Sequence, residues 1–154
     1  MKKKALQPHV SDSQMQRQAE ALVLSALARR LKLDIVRKDD RLSELKGLKP
    51  DAIDWTKRVI VEVYARIGKL KGAQPHKVKG DILKLVFLER MLGGEWRKIL
   101  CFADKTAAST AVGKSWVSLA AKEFGVDVIV QPVPIDVQRK VKAAQLRQRM
   151  VNPA

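Results

Sequence analysis

Asp51 and Glu62 are the acids whose placement asks for a chemical reason. Each lies in a run that is otherwise nearly apolar: Pro50-Asp51-Ala52-Ile53-Asp54-Trp55 and Arg58-Val59-Ile60-Val61-Glu62-Val63-Tyr64. Both runs read as strands. If Trp55-Thr56-Lys57-Arg58 connects them, the antiparallel register sets Ile53 opposite Ile60 and Asp51 opposite Glu62, with both carboxylates on one face. Asp54 then opposes Val59 and points the other way, although spacing alone leaves open whether Asp51 or Asp54 is a ligand. Two bare carboxylates side by side repel, so the pairing is favourable only with a proton or a cation between them. A hard divalent cation, Mg2+ or Mn2+, suits such a pair, because it accepts one or two carboxylates, keeps several waters and leaves room for phosphate oxygens.

The elements that must position these acids follow from hydrophobic spacing. Ser13-Gln14-Met15-Gln16 fits a capping box, and Met15, Ala19, Leu22, Val23, Ala26, Leu27 and Leu31 recur at helical intervals, which predicts a helix over 13–31. Asp34 to Lys38 is short and β-branched, and with the two runs above it predicts a three-stranded meander. Pro75 opens a second helix that runs to Met91 before Gly93-Gly94. Arg97 to Ala103 reads as a buried strand, Ser109 to Phe124 as a helix, and Val126 to Val130 as another strand, together a βαβ unit. Asp136 can cap a last, basic helix to about Arg149. The order predicts an α/β domain, a mixed sheet with helices on both faces. Residues 1–12 read as a basic, flexible tail, 13–134 as the α/β domain and 135–154 as a basic C-terminal helix and tail.

The chain has 154 residues, with 31 Lys and Arg against 16 Asp and Glu, a formal charge of +15 at pH 7. Such an excess favours a polyanionic partner, with nucleic acid first, over a neutral metabolite. DNA is the leading expectation and RNA the second. Residues 57–84 carry eight cations (Lys57, Arg58, Arg66, Lys69, Lys71, Lys77, Lys79 and Lys84) against Glu62 and Asp81, a source of contacts to phosphates. The lone cysteine, Cys101, excludes an intramolecular disulfide and a cysteine-built zinc site, and suggests a reducing, cytoplasmic setting. No apolar segment follows Met1-Lys2-Lys3-Lys4, so a signal peptide is not expected, nor is a membrane span, since Arg29, Arg30 and Lys32 interrupt the best stretch.

Pro50-Asp51, Glu62-Val63-Tyr64 and the order of elements together resemble the PD-(D/E)XK, or restriction-endonuclease-like, nuclease superfamily. The resemblance implies an αβββαβ core with an extra C-terminal helix, and metal-dependent phosphodiester hydrolysis on DNA with Asp51 and Glu62 as ligands. It also implies a lysine two residues after the second acid, and here that slot holds Tyr64. A lysine from the following helix is a variation within the superfamily, and Lys77 in Gln74-Pro75-His76-Lys77 is the substitute it suggests. Gln74, Lys77, Asp81 and Lys84 fall within about 80° on that helix, a polar stripe able to face the acids. Glu20 stands where the superfamily sometimes has a further acid. The string from Glu62 through Lys69, Lys71, Gln74, Lys77 and Asp81 to Lys84 is also similar to a group of nuclease-like proteins with no assigned substrate. Such nucleases often act as homodimers. The alternative is a non-catalytic module on the same fold that binds nucleic acid or a protein.

Other features fit structural roles. His9 and His76 lack partners at metal-ligand spacing. Gly113-Lys114-Ser115 resembles the end of a phosphate-binding loop, but Ala108 stands where that loop needs glycine. Cys101 between Leu100 and Phe102 reads as a core residue. Trp55 near the hairpin tip could stack on a base, whereas Trp96 and Trp116 read as packing residues.

Overall fold

The helical spacing of the first segment becomes α1, Val10–Leu31, which buries Ala19, Val23, Leu24 and Leu27 along one stripe. The computed structural model describes residues 10–39, 41–42 and 47–151. Most of the expected N-terminal tail, with Lys2 to Lys4 and His9, lies outside them. Its last residues do not behave as a tail: the helix starts before the Ser13 to Gln16 box, and Asp12, 2% exposed, meets Arg147 at 2.6 Å.

The remaining elements are β1, Ala52–Asp54; β2, Val59–Tyr64; α2, Gln74–Leu92; β3, Arg97–Phe102; α3, Lys105–Ala108; α4, Trp116–Glu123; β4, Val126–Val130; and α5, Ile135–Val151. The four strands form one mixed sheet in the order β1-β2-β3-β4. β1 is antiparallel to β2 and the other pairs are parallel. Two cores follow from strand alternation. One face of the sheet packs Val59, Val61, Val63, Ile99 and Cys101 against α1 and against Val137, Val141 and Ala144 of α5. The other packs Ile53, Ile60, Tyr64, Leu100 and Phe102 against Val78, Ile82, Leu85 and Leu88 of α2 and against Val117 and Ala121 of α4. The expected α/β class, with helices on both faces of a mixed sheet, is therefore present, and α5 docks on its own chain. Cys101 is a core residue whose thiol burial pushes up to about 12.

Two expectations fail for local reasons. The strand over 34–38 contracts to a single antiparallel bridge between Val36 and Ile53. Its neighbour Asp34 gives its N–H to the Asp54 carboxylate at 2.8 Å instead of to a ladder, and beyond Val36 come exposed charges. The helix expected over 109–124 shortens to α4, and the separate α3 ends before that range begins. Asp104 caps α3 early by accepting from Ala107 N–H; Gly113 then takes φ 107°, and Ser115 starts α4 afresh by accepting from Ser118 N–H. The glycine-lysine-serine triplet is thus a turn and a helix cap.

Asp54 fixes the hairpin that sets the register. Its buried carboxylate accepts from Asp34 N–H at 2.8 Å and from Lys57 N–H at 2.9 Å. Burial opposes its charge, and the N–H groups of Lys57, Asp34 and Thr56 outweigh burial, holding the carboxyl below its usual range. Asp54→Ala leaves two backbone donors unsatisfied and should lower the unfolding free energy by about 1–3 kcal/mol in urea denaturation. Unchanged stability would show that this carboxylate does not organise the turn.

Candidate functional site

Alternation along β2 decides which side chains share a surface. Val59, Val61 and Val63 face α1 and α5, while Ile60, Glu62 and Tyr64 face α2. The pairs Ala52 with Val61, Ile53 with Ile60 and Asp54 with Val59 establish the expected register, and one step further sets Asp51 opposite Glu62. Asp51 Oδ2 accepts from Val63 N–H at 2.8 Å, which holds the residue at the strand end beside Glu62. Asp54 opposes Val59 and is consumed by backbone donors, so of the two aspartates only Asp51 joins Glu62.

Glu62 is 1% exposed. Burial first, and the charge of Asp51 next, push its carboxyl up to about 8, with Asp81 adding and Lys84 opposing. Lys84 Nζ lies 2.6 Å from Glu62 Oε1 and 3.7 Å from Asp81 Oδ1, and donates to the Lys49 carbonyl at 3.1 Å. Burial tends to lower the Lys84 ammonium, but Glu62, Asp81 and Asp51 outweigh it and its pKa is raised. The contact with Glu62 is a close ion pair off the hydrogen-bonding direction. Among the described residues, Glu62 Oε1 is the one buried side-chain polar atom that receives no properly directed hydrogen bond.

The lysine that meets Glu62 is Lys84, not Lys77. Lys77, the lysine suggested for the acids, instead reaches Asp81 Oδ2 at 3.3 Å and lies over the Tyr64 ring, 4.6 Å from its centroid. Lys84, assigned to phosphate contacts, is the one at Glu62. Asp81 links the two, since it is buried on α2 and also accepts a hydrogen bond from the Tyr64 hydroxyl. Burial and Asp81 push the Tyr64 phenol far above its usual range, and its ring stacks on Phe102 at 4.6 Å. At position 64, where the resemblance implies lysine, stands a neutral tyrosine whose hydroxyl is held by Asp81. Gln74 stands apart: its Oε1 accepts from Lys71 N–H at 3.0 Å and braces the loop before α2. Glu20, on α1, pairs with Arg37 at 3.8 Å, and its pKa is raised by burial and then by Asp51, so it lies within reach of the acidic site's field.

The remaining cations do not share one surface. Lys57 Nζ donates to the Lys32 carbonyl at the hairpin end, and Arg58 lies against Gly94 and over the Trp96 ring at 5.8 Å. Lys79 sits 5.3 Å over Trp116, which is 65% exposed and so does not pack as expected. Trp55 donates to Asp39, meets Trp96 edge to face and is capped by Arg41 at 4.2 Å, an occupied rather than a waiting ring. Arg66, Lys69 and Lys71 do gather, in a cleft joined by Arg149 from α5. From sequence the last helix reads as basic, with Arg149 among its cations, and as a further source of contacts to phosphates.

What the acids can hold follows from their donor chemistry. Among the described residues no cluster of three or more His, Cys, Asp or Glu side chains is set to bind a metal. A cation here would rest on the two carboxylates, enough for magnesium, which completes its shell with water and phosphate oxygens. The under-directed oxygen of Glu62 and the adjacent Asp51 fit that donor set. Their proximity also governs stability in chelator. An acid whose pKa is raised by folding contributes fully below its unfolded pKa near 4.5, and loses that contribution as pH rises towards 8. Urea denaturation of the metal-free protein should therefore show stability falling across that window by up to about 1.4 kcal/mol per pH unit from this group, and Glu62→Gln should flatten the decline. Parallel profiles for the two proteins would contradict the electrostatics described.

Comparison with protein-family models, with curated proteins and with solved structures finds no match.

Proposed function

We propose that this chain is a metal-dependent phosphodiesterase acting on DNA, built on a restriction-endonuclease-like core with Asp51, Glu62 and Lys84 at its centre. One observation carries the reading: a fully buried carboxylate, Glu62, stands beside Asp51 with an oxygen that has no directed donor and a lysine ammonium at 2.6 Å. Structural acids in an apolar sheet are ordinarily satisfied, as Asp54 is. Mg2+ or Mn2+ held by Asp51 and Glu62 would supply a Lewis acid that lowers the pKa of a bound water.

The chain's own residues then have distinct tasks. Asp51 and Glu62 provide the negative pocket. Lys84, charged throughout the neutral range, would stabilise charge developing on a phosphate. Asp81, anchored by Tyr64, orients Lys84 and keeps Lys77 at the margin. The excess of positive charge draws a polyanion towards this acidic centre. The buried Cys101 is in keeping with a reducing, cytoplasmic setting. No helix among the described residues is long and apolar enough to cross a membrane.

A second reading is favoured by Tyr64. With its hydroxyl committed to Asp81, the superfamily's usual lysine slot is inert, which would suit a module that binds nucleic acid without cutting it. Incubation with supercoiled and linear DNA separates the two. Cutting should require Mg2+ or Mn2+ and stop with EDTA, and Glu62→Gln or Asp51→Asn should slow it by at least about 100-fold. Lys84→Met should cost more activity than Lys77→Met. Salt-sensitive binding without cutting, indifferent to EDTA and to Glu62→Gln, would replace this reading with the non-catalytic one.

A further inference from the structure

Directly after β2 the chain enters a loop that runs beside α5, and the two enclose a cleft of about 580 Å³. Arg66, Lys69 and Lys71 line it from the loop, and Gln148 and Arg149 from the helix. No acid lines it. Among the described residues, none of these four cations has a carboxylate within 4 Å, whereas seven other lysine and arginine side chains do. Arg66 is half-buried, and the nearby charge of Arg149 adds to burial in disfavouring its own. Four like charges gathered in one cleft without a carboxylate raise the local positive potential and favour an anionic ligand there.

The arrangement is built rather than incidental. Gln145 clamps the loop with both ends of its amide, accepting from Ile67 N–H and donating to the Ile67 carbonyl, each at 2.9 Å. Arg147, two residues before Arg149, is fixed to the buried Asp12 of α1 at 2.6 Å, so α5 cannot swing away without stranding that carboxylate. Gly68 and Gly72 adopt φ 84° and 62°, and where a Cβ would project from either there is open space. The loop's nearest acid, Asp104, is spent on Gly68 N–H and Ala107 N–H. The cleft begins four residues beyond Glu62, so it continues from the strand that carries the acid.

We propose that this cleft binds the phosphate backbone of a DNA strand and leads it to the site at Asp51 and Glu62. The identity of the polymer rests on the function proposed above; the binding site itself rests on the cleft. Successive phosphates meet Arg66, Lys69, Lys71 and Arg149 through charge-assisted hydrogen bonds, contacts that position the strand and carry no sequence information. The loop and α5 thus form a clamp for substrate that is separate from the acids.

Fluorescence anisotropy of a short labelled DNA duplex, in EDTA and over a series of salt concentrations, tests this. Replacing Arg66, Lys69, Lys71 and Arg149 together by Gln should weaken binding by at least about 30-fold and reduce the slope of log affinity against log salt by about 3–4. A control that removes the same charge elsewhere, with Lys38, Arg90, Lys114 and Lys122 replaced by Gln, should retain affinity within about threefold and keep its slope. Since Arg66 is half-buried, a variant changed only at Lys69, Lys71 and Arg149 guards against a folding defect and should lose about 2–3 of the slope. Equal losses in the cleft and control variants, no loss in either cleft variant, or displacement of the duplex by polyglutamate as readily as by unlabelled DNA would overturn the proposal. Glu62→Gln separates the two readings. Cleft-dependent binding with no metal-dependent cutting would leave the clamp standing and remove the hydrolase, and cutting with cleft-independent binding would do the reverse.

Discussion

A carboxylate buried among apolar strands and set against a second carboxylate is the constraint around which this structure is arranged. Taking a charge out of water costs several kcal/mol unless it is neutralised or paired. Glu62 is offered three partial remedies: it can hold a proton near neutral pH, it has the ammonium of Lys84 at 2.6 Å, and it borders Asp51, which could share a cation. None satisfies Oε1 in full. Among the described residues, this is the one place where a buried side-chain oxygen lacks a directed donor.

The fold serves that arrangement at several points. The β1 to β2 register brings Asp51 level with Glu62, and Asp54 secures the register by binding the backbone on either side of the turn. The phase of α2 brings Asp81 and Lys84 to the sheet along with Val78, Ile82 and Leu85, so the polar residues of the site are carried in on the same stripe that seals the core. Tyr64 closes the arrangement from the strand side by fixing Asp81. The acids and their lysine partners thus lie under α2, and the cations of the cleft lie beside α5.

Much of the sheet was legible because period-two alternation and a four-residue connection determine an antiparallel register almost by themselves. That logic placed Asp51 opposite Glu62 and turned Asp54 away. It could not choose between Lys77 and Lys84. Both sit on one helical stripe about 10 Å apart along the axis, and the choice depends on where α2 crosses β2, a property of packing and not of spacing. The strand expected at 34–38 failed because a side chain, Asp54, competed for its backbone donor. The late start of α4 did have a local signal in Gly113 and the Ser115 cap, masked by the apolar run around them. The basic cleft was invisible as a unit, since Gln145 and Ile67, which hold its walls together, are 78 residues apart.

The central claim is that Asp51 and Glu62 form a place for a divalent cation. Calorimetric titration of Mn2+ into the metal-free protein at mildly alkaline pH tests it without reference to any substrate. The account predicts one saturable site in the native chain, lost in folded Glu62→Gln and folded Asp51→Asn. Absence of saturable binding in the native protein, or binding undiminished by those two substitutions, would contradict it.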